Sequence, residues 1–287
     1  MSGVVSETVS MEGAGVDMES QFPNIPPLGS RTGLPGSASN TYGQAGARTQ
    51  SFSKFGFLPT YIRRIILYPQ MDLEYTFTQM VYLLRSPSKV YKLTSWRNQT
   101  KNQWARDDPA FVVIVCFFLA VASVAYGFAL GNASFSSLFR LILISITLFV
   151  GCGICVATLG WWVANSFFRV HHSHSVEQQV EWMYAFDIHC NAFFPLFVAL
   201  YVVQYLFLPL LLSESFLATL IANTLYAVAF SYYHYVSFLG YMFLPFLRKD
   251  RVTSMLYPIG FIGLMYILFI VLNINAARFA LSFFFFL

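Results

Sequence analysis

The stretch NQWARDDPAFVVIVCFF, from Asn102 to Phe118, sets three charged residues and a proline directly against a long apolar run. Asp is a favoured helix N-cap, and proline suits the first helical position because its missing N–H has no helical partner there. Carboxylates are also stabilised by the positive end of the helix dipole. We therefore predict that Asp108 caps, and Pro109 begins, a helix that enters a membrane.

Capping does not account for Trp104 and Arg106, which lie just ahead of the two aspartates. Trp and Arg are enriched among the residues that dominate protein–protein contacts. We therefore predict that this pair forms an exposed, partner-binding surface. Acid/base catalysis by Asp107 and Asp108 is disfavoured, because successive side chains on a helix diverge by about 100°.

Composition places the whole chain in the membrane class. Hydrophobic residues make up 57% of it and charged residues 10%, with a mean hydropathy of +0.59, whereas ordinary soluble domains carry roughly 25% charged residues. Five apolar runs are each long enough to cross about 30 Å of hydrocarbon. We predict an all-α, polytopic membrane bundle of five transmembrane helices within residues 109–275. The approximate spans are 111–130, 141–167, 192–212, 216–243 and 255–274.

Two segments precede the predicted bundle. Residues 1–52 are rich in Gly, Ser, Thr, Pro and Asn, so we predict a disordered tail that cannot bury enough apolar surface to offset its ordering entropy. Residues 53–108 are predicted to form a cytosolic, amphipathic helical region. It either lies at the membrane interface or packs on the ends of the bundle, and both alternatives remain open. Its clearest helical stripe is Leu73, Phe77, Met80 and Leu84.

The placement of basic residues predicts the orientation. Of the 17 Lys and Arg residues, all but Arg140 and Arg278 fall before the first span or in the segments after the second and fourth spans. Cytosolic loops carry an excess of Lys and Arg. We therefore predict a cytosolic N-terminus and a lumenal C-terminus, with 276–287 as a short apolar lumenal tail. A tight cytosolic turn would present a second partner-binding set, Arg248, Lys249 and Arg251.

Polar residues also recur inside the apolar segments. Asp187, His189 and Asn191 lie near the start of the third span, and Asn223 and His234 lie in the fourth. Polar groups at membrane depth are costly, so we expect the polar faces of these two spans to turn toward each other. Two interpretations remain open: a buried polar site, for example for a lipid headgroup, or interhelical hydrogen bonds that fix the bundle.

Motifs for catalysis are few. One histidine cluster (His171, His172 and His174) has no second cluster to complete a di-iron site. Cys152 and Cys155 match the C-x-x-C pattern, but they stand in an apolar run where small residues favour close helix packing. The sequence has no nucleophile elbow, phosphate loop or dinucleotide fingerprint. We predict no catalytic residue, no metal site and no cofactor, and therefore a protein that is not an enzyme.

Four blocks, QMDLEYTFTQMVYLLRSPSKVY, TKNQWARDDPAF, VEWMYAFDIHCNAFFP and SFLGYMFLPFL, resemble the Unc-fifty family of Golgi membrane proteins over about residues 61–271. The resemblance implies a multi-span Golgi protein, with the inner nuclear membrane reported in some cases. It also implies a role in surface delivery of nicotinic acetylcholine receptors and contact with Arf guanine-nucleotide exchange factors. RNA binding has been attributed to an animal member. The family supplies no catalytic residues.

The residues and the resemblance together give two hypotheses. The first is a non-enzymatic Golgi trafficking protein in the lipid bilayer, whose cytosolic face recruits transport machinery and whose cargo is an oligomeric receptor. The alternative is a lipid-handling or small-molecule transport protein with a polar site between spans three and four. Mutations of exposed cytosolic residues should impair the first function, and mutations of the buried polar residues the second.

Overall fold

The computed structural model of the protein describes residues 72–170 and 178–286, with side chains as far as Phe283. All regular elements in these ranges are helices. The one contact of β type within them is an isolated antiparallel bridge between Arg169 and Leu247. The predicted all-α class is confirmed.

Three parts of the sequence prediction lie outside the described residues. They are the tail at 1–52, the first part of the helical region at 53–71, and the histidine cluster. The cluster comprises His171, His172 and His174. These remain predictions.

Two helices ahead of the bundle form a hairpin: α1, Leu73–Arg85, and α2, Pro87–Lys101. Asp72 begins α1, and its side chain accepts a backbone N–H of the first turn at 2.9 Å. Pro87 is the first residue of α2, where a missing N–H removes no helical hydrogen bond. The helix ends at Asn102, whose φ of 52° is left-handed, a conformation that asparagine tolerates better than most residues.

Within the described ranges, five helices are long and apolar enough to cross a membrane, which agrees with the predicted number. A short helix connects the third and fourth, and another follows the fifth. The fifth span starts with short turns before its regular part. In chain order these helices are α3 (Ala110–Ala129), α4 (Phe135–Phe168), α5 (Trp182–Leu206), α6 (Leu208–Leu211), α7 (Phe216–Met242), α8 (Lys249–Val271) and α9 (Ala276–Phe286).

The hairpin packs on one end of the bundle, which we call the hairpin end; the opposite end, where α9 lies, is the far end. Tyr232 in α7 donates its hydroxyl to the carbonyl of Leu83 at 2.9 Å. Of the predicted stripe of α1, Met80 is buried, whereas Phe77 and Leu84 are 47% and 43% exposed, so the stripe and the packed face of the helix coincide only in part. Polar residues can occupy the packed face when their groups bond within the helix, as the Thr76 hydroxyl does. The buried residues are Thr76, Gln79, Met80 and Leu83.

The third span, α5, is the central helix of the bundle. In its most apolar stretch 56% of the residues are buried inside the protein, against 0% for the fifth span, α8. It begins at Trp182, ten residues before the predicted start at 192. The prediction began too late because Asp187 and His189 look out of place in lipid. Both side chains are instead buried against protein, where polar groups find partners.

The far end contains two features that the sequence did not predict. A π turn, Val198–Val203, interrupts α5 shortly after Pro195, a residue that removes one helical hydrogen bond. The predicted short apolar tail forms α9, which docks on the bundle. Arg278 donates from Nε and Nη2 to the carbonyl of Leu212 at 3.1 and 2.9 Å.

Candidate functional site

The segment between α2 and α3 is a docked loop, residues 104–108, that lies on the first turns of α5. The two carboxylate oxygens of Glu181 each accept one backbone N–H, from Trp104 and Ala105, both at 3.1 Å. The carboxylate of Asp187 accepts the N–H of Arg106 at 2.6 Å. Three successive backbone N–H groups of one loop therefore donate to two carboxylates. Such an arrangement binds anionic groups through the backbone rather than through side-chain identity.

Asp108 joins the starts of two helices. Its Oδ1 accepts the N–H of Ala110 at 3.0 Å, and its Oδ2 accepts the N–H of Asp72 at 2.8 Å. Pro109 stands immediately before the first residue of α3. Asp107 points away and pairs with Lys101 at 2.8 Å. The two adjacent aspartates thus have separate structural partners.

Arg106 carries a buried charge in the docked loop. Its side chain is 8% exposed, it donates from Nη2 to Oδ1 of Asn191, and its guanidinium lies 4.2 Å from the centre of the Phe111 ring. The opposite charge of Asp187 lies close enough to attract it. A buried guanidinium requires such partners, because an unpaired charge in a low-dielectric interior is costly.

Trp104 is buried as well, at 9% exposure. Its ring centre lies 5.9 Å from that of Tyr184 and 6.2 Å from that of Phe246. The predicted exposed surface formed by Trp104 and Arg106 is therefore wrong. The docking of the loop backbone on Glu181 and Asp187 turns both side chains inward.

Helix α2 covers the docked loop and ties it to α5 and α7. The hydroxyl of Tyr91 donates to the carbonyl of Val236 at 3.0 Å and lies close to the Asn191 side chain. Burial raises the pKa of Tyr91 well above its ordinary value, so it stays a neutral donor. Arg97 donates to the carbonyl of Trp104 at 3.4 Å. No local pattern marked Tyr91 as a site residue, because its partner Val236 is 145 positions away in the chain. Arg97 is close to Trp104 in sequence, but no motif distinguishes it from the other basic residues of the segment.

The five polar residues predicted to form one site between α5 and α7 are separated in the structure. Asp187 and Asn191 hold the docked loop, whereas His189 lies on another face of α5, because two residues along a helix correspond to about 200°. Asn223 lies at the far end, where it donates to Ile274 at 2.9 Å and accepts from Ala276 at 2.8 Å. The remaining residue of the set, His234, is grouped with His189.

His189 and His234 line a cavity of about 280 Å³ with Tyr233 and Ser237. One ring nitrogen of His189, Nδ1, lies 2.8 Å from the Tyr233 hydroxyl, and the other lies 3.2 Å from the carbonyl of Phe149. The Ser237 hydroxyl is buried without a partner among the described residues. The cavity can accept a small, uncharged hydrogen-bonding group.

The third predicted set, Arg248, Lys249 and Arg251, is exposed at the start of α8. This segment is anchored to the end of α4. The backbone N–H of Arg248 donates to the carbonyl of Phe168 at 2.7 Å, and Arg251 donates from Nη1 to the carbonyl of Phe167 at 2.8 Å. Arg248 pairs with Asp250 at 2.9 Å. The set is therefore a charged surface in a fixed position.

The cysteine pair in α4 is exposed on the outside of the bundle. Gly153 between them is the residue that packs, since a Cβ there would lie 2.7 Å from the His189 ring. Among residues 72–170 and 178–286, no group of three or more His, Cys, Asp or Glu could hold a metal ion. The chemistry of the described part of the chain is hydrogen bonding and charge pairing.

These features define a class: an all-helical, multi-pass membrane protein whose central span is held by a docked loop beneath a helical hairpin. The chain belongs to the UNC-50 family, whose sequence model matches residues 61–285. It is 53% identical over 230 residues to a protein unc-50 homolog of Dictyostelium discoideum, covering 79% of this chain and 87% of the relative. It is 41% identical over 225 residues to the Homo sapiens homolog, covering 78% and 85%. No solved structure matches.

Proposed function

We propose that this protein is a non-enzymatic Golgi membrane protein that supports surface delivery of oligomeric receptors by recruiting an Arf exchange factor. The observation that carries this proposal is a set of exposed basic residues at the hairpin end, carried by α2 and by the start of α8, two elements that side-chain hydrogen bonds hold in place. We call it the basic face and define it as Lys89, Lys92, Arg248, Lys249 and Arg251, which are all exposed. Membership of the UNC-50 family supports the same proposal.

The position of the basic face in the cell follows from its charge. Cytosolic segments of membrane proteins carry an excess of Lys and Arg, and Arg140, at the far end, is the exception among basic residues flanking the first spans. We infer that the hairpin end faces the cytosol. Soluble transport machinery can therefore reach the basic face.

Rigidity makes the basic face suitable for binding. Tyr91 ties α2 to α7, and Arg251 ties the start of α8 to the end of α4. A preorganised surface loses less conformational freedom when a partner binds. The excess of positive charge favours an acidic surface on the partner, which also accelerates association.

A rescue assay in cells that lack the protein tests this proposal. The test variant is Lys89→Glu/Lys92→Glu/Lys249→Glu, which reverses exposed charges and leaves Arg251 in place. The matched control is Arg140→Glu, an exposed charge reversal at the far end. We expect the test variant, at equal expression and Golgi residence, to lose both surface receptor and membrane-bound Arf exchange factor. Full rescue by this variant contradicts the proposal.

A lipid-handling or transport function is the second candidate, and the cavity beside His189 favours it. The unpartnered Ser237 hydroxyl and the half-buried His234 give that cavity polar groups between α5 and α7. In the same rescue assay, His234→Ala/Ser237→Ala tests it. Loss of rescue by this variant alone, with normal recruitment of the exchange factor, favours the second candidate over the first.

A further inference from the structure

A separate cavity of about 250 Å³ lies in the far half of the bundle, enclosed by α3, α4, α5, α7 and α9. Most of its wall is apolar, and every residue that lines it is uncharged. Terminal helix α9 closes it with Ala280 and Leu281. It shares no lining residue with the cavity beside His189.

Gln204 is the polar centre of this cavity. Its side chain is 2% exposed and lies close to the hydroxyls of Tyr126 and Tyr226. Its carbonyl oxygen, Oε1, has no hydrogen-bond partner in the described part of the protein. A buried acceptor without a donor costs free energy. The cavity therefore suits a largely apolar guest that carries one hydrogen-bond donor. That donor would bond Oε1 of Gln204, for which the protein itself supplies no donor.

The backbone of α5 is distorted where it lines the cavity. The π turn Val198–Val203 ends directly before Gln204, and the Leu200 carbonyl in this turn accepts from Tyr126 at 3.3 Å. Single π turns inside helices occur frequently at functional sites. This one brings Leu200, Tyr201 and Gln204 to the same cavity wall.

A groove of about 340 Å³ adjoins the cavity between α3 and α5. The groove and the cavity share Tyr126 and Tyr201, whose ring centres are 6.4 Å apart. The groove is open at its outer edge, where Val121 and Leu206 are 53% and 69% exposed. A hydrocarbon chain can lie in this groove while a polar end group enters the cavity beside the two tyrosines.

We propose that this cavity binds the hydroxyl end of a neutral membrane lipid, with that hydroxyl donating to Oε1 of Gln204 and the hydrocarbon lying in the groove. The uncharged lining disfavours phosphate headgroups, whose buried charge would lack a partner. The volume suits part of a lipid, because a cavity of about 150 Å³ is known to hold one benzene molecule. Sterols, diacylglycerols and ceramides share the required chemistry. The proposal does not depend on the proposed trafficking function.

Photo-crosslinking of the purified full-length protein in nanodiscs tests this inference. Photoreactive cholesterol, diacylglycerol and ceramide are compared with photoreactive phosphatidylcholine, and labelled peptides are identified by mass spectrometry. We expect one hydroxyl-bearing probe to label the peptides that contain Tyr201 and Ala280. Unlabelled lipid is then added as a competitor of this labelling. The O-methyl ether of the lipid should compete about three- to tenfold less well than the lipid with the free hydroxyl, as expected for the loss of one hydrogen bond. The arm that labels identifies the lipid class.

Two variants and a matched control sharpen the test. Gln204→Leu should abolish the preference for the free hydroxyl over the ether, and Ala280→Phe should fill the cavity and reduce labelling. Gln79→Leu removes another buried glutamine with an unpartnered amide atom and should leave labelling unchanged. Equal competition by the ether and the free hydroxyl in the wild-type protein overturns the proposal. Equal cavity labelling by phosphatidylcholine, or cavity peptides labelled by none of the probes, also overturns it, whether or not the variants fold.

Discussion

The hairpin end and the far end of the bundle both bury polar side chains, but they treat them differently. At the hairpin end, Asp187 and Glu181 accept backbone N–H groups of the docked loop, and Arg106 meets Asn191. At the far end, Gln204 lies close to two tyrosine hydroxyls and leaves its carbonyl oxygen without a donor. The hairpin end also has buried atoms without a partner among the described residues, Nη1 of Arg106 and Nε2 of Gln79, but of these three residues it is Gln204 that lines the far-end cavity.

This difference has an energetic consequence. Removing one member of a satisfied, buried set leaves its partners unpaired in a low dielectric, which is strongly destabilising. Removing a buried polar side chain that has an unpartnered atom also removes the desolvation penalty of that atom, which lowers the stability of the wild-type fold. Stability measurements on matched substitutions at the two ends can therefore separate structural polar residues from ligand-binding ones.

The largest effect is expected for Asp187→Ala at the hairpin end. The substitution removes the acceptor of the Arg106 N–H and the carboxylate that attracts its buried guanidinium. We expect a loss of about 3–5 kcal/mol in the free energy of unfolding. The readout is the thermal unfolding midpoint of the purified protein in detergent.

Asp107→Ala is the matched control for that substitution. Its pair with Lys101 has side chains that are 28% and 57% exposed, and partly exposed pairs contribute about 0–1 kcal/mol. A similar fall in the midpoint for both variants would contradict the structural role assigned to Asp187.

A somewhat smaller loss is expected for Trp104→Ala. This substitution leaves a cavity beside Tyr184 and Phe246. Truncation of a buried Phe or Trp to Ala lowers the free energy of unfolding by about 3–5 kcal/mol. We expect the lower end of that range, because the surrounding loop can relax into part of the cavity. Trp96→Ala is the comparison, since that side chain is 63% exposed. Fluorescence-detected size-exclusion after heating measures both, and an equal loss for Trp96→Ala would argue against the docked loop.

The sequence predicted the number of spans well because an apolar run of about 20 residues has few alternatives to crossing a membrane. It misplaced the start of α5 because a residue such as Asp187 counts against a span until its partner is known. That partner, Arg106, is 81 positions away in the chain. Local periodicity contains no information about such a pairing, and so Trp104 and Arg106 were predicted to be exposed.

The polar site was predicted less well than the fold for a related reason. Asp187, His189 and Asn191 are close in sequence, but helix geometry sends His189 to another neighbour. The cavity beside Gln204 depends on a π turn and on the docking of α9, and neither leaves a pattern in composition. Only the phase of each helix in three dimensions decides which polar residues meet.

An intermediate effect is expected at Gly153, where α4 meets α5. A Cβ at this position would lie 2.7 and 2.8 Å from two atoms of the His189 ring, which Tyr233 holds in place by a hydrogen bond. We expect Gly153→Ala to cost about 1–3 kcal/mol through overpacking. Gly151→Ala has nothing within 4 Å of the new Cβ and should stabilise the helix by up to about 1 kcal/mol. A thermal midpoint that does not fall for Gly153→Ala, while that of Gly151→Ala stays the same or rises, would show that helix packing at Gly153 is looser than described.

The smallest effect on stability is expected for Gln204→Leu at the far end. The substitution loses the polar interactions with the nearby hydroxyls of Tyr126 and Tyr226 but removes the unpartnered carbonyl oxygen. Because these contributions oppose each other, the free energy of unfolding of the ligand-free protein should change by less than about 1 kcal/mol. A loss as large as that of Asp187→Ala would place Gln204 among the structural residues. A small change, accompanied by loss of the preference for a hydroxyl-bearing lipid, would assign the two ends of the bundle to different tasks: the hairpin end to holding the fold and the far end to binding.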